Sequence, residues 1–349
     1  MEENNNFIPL SKPRISLSRF LFYFVTIAVL LLVFSRVSEF KLLADIFARA
    51  NLWWVLGITA SQLLSYYFLA LNYQAVLRVT ANNVPVRELF PVMFVVQFLN
   101  QALPSATISG QAFFVQYLKR YGLSLAEGLS RAILELLTLY VAFGSFFAFS
   151  AGLMFLNGGF RAHPEITYLV YLFLFFGVLF TWLFFALQKK RRGGILRWVL
   201  GKLHNYFEEN GRGKKTSHKS HILELFEAVR HILTLKELKK HQTDFYSASI
   251  WQGMVLLVNV FTLYFVCYAV GSPLDFSSAF IIFTLTRFVS MVSFIPGAFG
   301  IFEGSMVFIL TTFALPFEIA LAATLLFRAF SFWLPIPIGW VLYRHYTQD

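Results

Sequence analysis

The chain has 349 residues, of which 58% are hydrophobic and only 13% charged, with 43 Phe. A typical soluble domain carries about 25% charged residues, so this composition excludes a soluble enzyme and a disordered chain, and Cys267, the single cysteine, excludes an internal disulfide scaffold. The formal net charge of +11 does not mark a nucleic-acid binder, because residues 188–245 alone hold 14 Lys and Arg against 6 Asp and Glu. That block accounts for +8 of the total and separates two apolar halves.

An apolar run of about 20 residues is long enough to cross a bilayer. Residues 20–35 form a short first span that leads into Arg36 and Glu39 with no small-residue cleavage site, which predicts a signal anchor. Over 37–50, Phe40, Leu43, Phe47 and Ala50 share one helical face, predicting a helix on the outer surface, with Trp53 and Trp54 following at an interface. Residues 52–77 are a full span. Residues 88–118 are not: Pro104 sits in the polar run QFLNQALPSATISGQ, and neither flank, 88–103 or 105–118, is long enough to span. Two half-helices meeting at a break are predicted there, with Gln97, Asn100, Gln101, Ser105, Thr107, Ser109 and Gln111 concentrated around it. Irregular backbone at membrane depth must be covered by protein or line a cavity.

Spans follow at 128–156 and 166–187, then the basic segment 188–245, read as a cytoplasmic loop. Within it, residues 221–240 place Ile222, Leu225, Phe226, Val229, Ile232 and Leu233 on one face of an amphipathic helix. The loop's His204, His218, His221, His231 and His241 have neither cysteine nor ligand spacing to support a metal site, and no metal or cofactor is expected. A span at 246–270 precedes a second interrupted segment, 276–315, where SFIPGAFGIFEGS sets Pro296, Gly297, Gly300 and Gly304 around Glu303. Its halves approach 20 residues, so a re-entrant hairpin competes with two full spans. Residues 318–342 are the last span. The fold class is an all-α polytopic membrane protein, a single domain over 1–349 with six spans and two Pro-broken hairpins.

Lys and Arg in short connections favour the cytoplasmic side. Lys12, Arg14, Arg19, Arg78, Arg87, Lys119, Arg120, the basic loop and Arg344 are all cytoplasmic together if both termini are inside and each hairpin returns to the side it left. The first hairpin then opens to the cytoplasm and the second to the outside. Aligning Leu103-Pro104-Ser105-Ala106 with Ile295-Pro296-Gly297-Ala298 puts Glu135 thirty-one residues after one proline and Arg328 thirty-two after the other. Each half reads as span, broken hairpin, then long helix with an ionisable residue inside it, which predicts an inverted-topology repeat with a substrate site at the breaks.

A charge at the centre of a bilayer costs about 2.5 to 3.5 kcal/mol on insertion scales, so Arg131, Glu135, Arg287, Glu303 and Arg328 each require a partner or a cavity. Arg131 and Glu135, four apart, are placed to pair with one another; Glu303 either pairs with Arg287 or Arg328 or, unpaired, is protonated, the proton site or the counter-charge of a coupled carrier. The helix ends after Pro104 and Pro296 offer backbone N–H groups to an anion such as a lipid phosphate. No nucleophile–base arrangement or phosphate-binding loop is present.

At these residues the chain resembles the flippase-like integral membrane family that includes the transmembrane region of lysylphosphatidylglycerol synthase, the multiple peptide resistance factor. Asn100, Leu103, Pro104, Gly110 and Glu135 match its first motif, and Pro296, Gly297, Gly300, Glu303 and Arg328 its second. Leu136, Phe302 and the Ser105-Ala106-Thr107 turn depart from it, where Arg, Arg and a Gly-rich turn are common. The resemblance implies a translocator of a phospholipid or other lipid-linked anionic or zwitterionic substrate in the cell membrane. The family's soluble aminoacyl-transferase domain has no counterpart here, so lipid aminoacylation is not expected. Together with Ser109 of the polar break and the in-membrane charges Arg131 and Arg287, the motif residues make a candidate substrate-binding set of Asn100, Pro104, Ser109, Gly110, Arg131, Glu135, Arg287, Pro296, Gly297, Gly300, Glu303 and Arg328. Expected partners are membrane lipids, with anionic inner-leaflet lipids at the basic loop and a homo-oligomer as further options. A non-catalytic scaffold subunit and an intramembrane lipid-modifying transferase are the alternatives.

Overall fold

A computed structural model describes residues 51–79, 84–102, 108–156, 167–168, 241–292 and 296–348. The chain divides into two units, Met1–Arg49 and Ala50–Asp349, and the described residues all lie in the second. The predicted span at 20–35, the surface helix at 37–50, most of the span at 166–187, the basic loop with its amphipathic helix, and Pro104 fall outside them.

The described residues are helical throughout, with no strand among them. In chain order they form α1 (Leu52–Arg78), α2 (Val86–Ala102), α3 (Ile108–Leu118), α4 (Leu125–Leu156), α5 (Gln242–Ala269), α6 (Phe276–Val292), α7 (Ile301–Thr312), α8 (Phe317–Arg328) and α9 (Pro335–Gln348). Four stretches are long and apolar enough to cross a membrane: Leu52–Arg78, Glu127–Leu156, Gln242–Ala269 and Phe317–Tyr346. They coincide with four of the six predicted spans. The 12 residues of α7 rise only about 18 Å, short of the roughly 30 Å hydrocarbon core, so the second interrupted segment is built from shorter pieces than its composition suggested.

Among the described residues, the most extensive helix contact is between α1 and α5. Apolar side chains alone do not hold two helices together in lipid, where tails are as apolar as leucine, so polar groups and close packing supply the specificity. Ser61, Ser65 and Asn72 recur along α1, and all three are buried. Ser61 and Gln62 bond the Thr262 hydroxyl, each at 2.8 Å, and Asn259 donates to Ser65 at 3.0 Å. Farther along, Asn72 donates to the Thr138 hydroxyl of α4 and to the Ala248 carbonyl of α5, tying three helices at one point. Thr262→Val removes the hydroxyl shared by Ser61 and Gln62. It is expected to lower stability in detergent by about 0.6 to 1.7 kcal/mol, read from thermal unfolding.

The last predicted span is one apolar stretch, but it is not one regular helix. Five residues, Ala329–Trp333, form a π-turn between α8 and α9, with the Leu334 amide bonding the Ala329 carbonyl at 2.9 Å. Pro335 has no N–H for the carbonyl four residues earlier, that of Ser331. Gln101 at the end of α2 fills the gap, donating to Ser331 O at 3.4 Å. α2 and α9 also approach closely: a Cβ on Gly339 would collide with the Phe94 carbonyl and the Phe98 side chain. Hairpin α2–α3 of the first half thus packs on the final helix of the second. Reciprocally, α4 of the first half packs on α6 of the second.

Candidate functional site

The first cluster lies where α1, α3 and α4 meet. Gln111 on α3 uses its side-chain amide twice, donating to Tyr73 Oη and to Glu135 Oε2, each at 2.8 Å. Tyr73 and Glu135 are both buried, and the Tyr73 ring meets Phe114 edge-on at 4.6 Å. In the first turn of α3 the Gly110 amide bonds Asn100 Oδ1 at 2.9 Å. That contact exists because Gly110 has no Cβ, which would otherwise meet both Asn100 Oδ1 and the Val96 carbonyl. Ser109 lies beside it, half-buried. Among the described residues, Asn100, Gly110, Gln111 and Glu135 therefore form one connected wall, while Pro104 lies outside them.

Arg131, one turn before Glu135, is wholly buried, and none of its three guanidinium nitrogens has a hydrogen-bond partner. The pairing with Glu135 that the four-residue spacing allows is not made. The electrostatic neighbour of Arg131 is Glu127, whose carboxylate is already engaged by the Ser124 amide and hydroxyl at the start of α4.

The second cluster is closed. Pro296–Ala298 makes a single turn in which Gly297 has φ +57° and Ala298 φ +51°. The turn aims the Gly297 carbonyl at Arg328 Nη2, 3.0 Å away. Arg328 Nε donates to Glu303 Oε1 at 2.5 Å, and Glu303 Oε2 accepts the Gly300 amide at 2.6 Å at the start of α7. The guanidinium is also sandwiched, 4.8 Å from the Phe302 ring centre and 4.0 Å from that of Phe332. One carboxylate thus caps a helix and neutralises an arginine, and the cation gains two aromatic faces. Of the two partners expected for Glu303, Arg328 is the one bonded. Arg287 lies within electrostatic reach of Arg328, and its Nε is buried without a partner. The two clusters are linked, since α2 touches the Pro296–Ala298 turn.

Sequence reading missed Tyr73, Asn72, Thr138 and the aromatic pair Phe302 and Phe332. The signal for the first two was the polar stripe along α1. The aromatic pair had none, because 43 Phe are spread through the chain. No group of three or more metal-ligating side chains occurs among the described residues.

A family model described as the lysylphosphatidylglycerol synthase TM region matches residues 20–339. A UPF0104 membrane protein of Pyrococcus horikoshii is similar, at 23% identity over 327 residues, covering 91% of this chain and 93% of the relative. Another, of Methanothermobacter thermautotrophicus, is 20% identical over 305 residues, covering 84% and 86%. The matched region contains both clusters, three of the four apolar stretches and most of the fourth. The chain is a multi-pass membrane protein that belongs to the lysylphosphatidylglycerol synthase TM region family.

Proposed function

We propose that the protein translocates a lipid or lipid-linked substrate across the cell membrane, holding an anionic or zwitterionic headgroup inside the helical body while the acyl chains stay in the bilayer. The observation that carries this reading is Arg131: buried, unbonded, and on a helix long enough to span. An arginine stays charged at any physiological pH, so a buried one that makes no hydrogen bond among the described residues calls for an anion. A phosphate group supplies that charge together with a geometry suited to a planar guanidinium.

An inverted repeat of six spans and two re-entrant hairpins fits this function. It is supported by the shared order of elements, α1 to α4 and α5 to α9, each a long helix, a pair of short ones and another long apolar stretch. The reciprocal packing of α9 on α2 and α4 on α6 also supports it. In this reading both termini and the basic loop are cytoplasmic, the loop meets anionic inner-leaflet lipids, and the chain acts as a carrier rather than an enzyme.

The test is reconstitution into vesicles with headgroup-defined fluorescent lipids, following transbilayer movement by chemical quenching of the outer leaflet. Wild-type protein is expected to accelerate movement of at least one phosphate-bearing lipid. Arg131→Ala should slow it about tenfold or more, the equivalent of one charge-assisted hydrogen bond. Rates no faster than protein-free vesicles for every lipid class would reject the carrier in favour of a scaffold.

A further inference from the structure

Glu135 and Glu303 occupy the two clusters, yet their surroundings are opposite. Glu303 bonds an arginine and a backbone amide, and its charge is answered. Glu135 is buried and accepts only the neutral amide of Gln111, which it shares with the Tyr73 hydroxyl. An ionised carboxylate taken from water with one neutral donor is strongly disfavoured, and the same group carrying a proton is not.

Among the described residues, the elements packed against α4 bring no cation onto Glu135. α1 brings Tyr73 and, at its end, Arg78, which is bonded to Gln74, and α3 brings Gln111. α5 carries His241 and Asp244 paired with each other at its first turn, then Tyr246, and Tyr264, Cys267 and Tyr268 toward its other end. The only charged residue of α6 is Arg287, whose electrostatic neighbour is Arg328. On α4 itself, Glu127 is held by Ser124 and Arg131 is unbonded. No hydrogen bond or ion pair joins any of these to the Glu135 carboxyl except that of Gln111.

We infer that Glu135 is the proton-carrying group of the transport cycle, and that it and the substrate's anionic group take turns on Arg131. This rests on the carrier reading above. Residues four apart on a helix face each other, so a rotamer change is enough to bring the Glu135 carboxylate onto the Arg131 guanidinium. With the proton bound, the carboxyl rests on Gln111, as in the structure, and Arg131 is free for a phosphate. When the O–H bond breaks, the proton passes to water on the side to which the site opens, and the carboxylate replaces the departing phosphate on Arg131. With proton and phosphate both bound, or both gone and the carboxylate on Arg131, the site carries no net charge. Each anionic headgroup is then accompanied by one proton in the same direction.

Two measurements decide this. Infrared spectroscopy of purified protein at neutral pH should reveal the carbonyl stretch of a protonated carboxyl. That band should disappear in Glu135→Gln, persist at a shifted frequency in Glu135→Asp and remain unchanged in Glu303→Gln. Its absence from the wild type, or its survival in Glu135→Gln, overturns the proposal. In the vesicle assay, an imposed pH gradient should change the wild-type rate severalfold, with the lipid accumulating toward the alkaline side. For Glu135→Gln the ratio of rates with and without the gradient should fall to one, whatever the absolute rate. A wild type that moves lipid with no response to the gradient rejects coupling while the carrier reading stands. A wild type that moves no lipid rejects the carrier, and the infrared result still decides whether Glu135 holds a proton.

Discussion

Arg328→Ala is expected to destabilise the protein in detergent by about 3 to 5 kcal/mol, the cost of leaving one partner of a buried ion pair behind. The loss has three parts: the Glu303 carboxylate keeps the Gly300 amide but loses its counter-charge, the Gly297 carbonyl loses its donor, and Phe302 and Phe332 lose the cation between them. Glu303→Gln should cost less, about 1 to 3 kcal/mol, because Arg328 keeps the carbonyl and both rings. Combining Glu303→Gln with Arg328→Met should recover much of the single-variant loss, since replacing both charges together is often nearly neutral. A double-mutant cycle on thermal unfolding measures the coupling directly. A coupling near zero would mean that the pair does not hold the second hairpin to the final helix.

Gly110→Ala should destabilise by about 1 to 3 kcal/mol even though alanine is the better helix former by roughly 1 kcal/mol. A methyl group at this position meets the Val96 backbone carbonyl, which cannot rotate away, as well as Asn100 Oδ1. Relief requires α3 to move off α2, breaking the bond from the Gly110 amide to Asn100. Because Gln111 is the next residue, the same movement pulls its amide from Glu135 and Tyr73, so transport should fall with stability. The control is Gly144→Ala on α4, where an added Cβ has no neighbour within 4 Å. That change should be neutral or stabilise by up to about 1 kcal/mol. Equal destabilisation by the two substitutions would show that the close approach of α2 and α3 is not what Gly110 provides.

Composition and hydropathy alone determined that the protein is helical and lies in a membrane, where four apolar stretches run, and that Pro296 marks an interrupted segment. These properties are local: a bilayer demands about 20 apolar residues per span and tolerates a break only under cover, so each can be read along the chain. Membrane burial also made Arg131, Glu135, Arg287, Glu303 and Arg328 visible, because a charge in an apolar run is costly wherever it sits. Their pairing was decided elsewhere. Spacing placed Arg131 opposite Glu135, but α3 delivers Gln111 to the carboxyl and leaves the arginine unbonded, a choice set by how a short helix from another part of the chain packs. The π-turn after Arg328 likewise depends on Gln101, 230 residues away, taking the carbonyl that Pro335 leaves free. Residue type and local spacing established which groups had to be satisfied inside the membrane. Only the tertiary structure decided which partner satisfies each, because those partners come from helices remote in sequence.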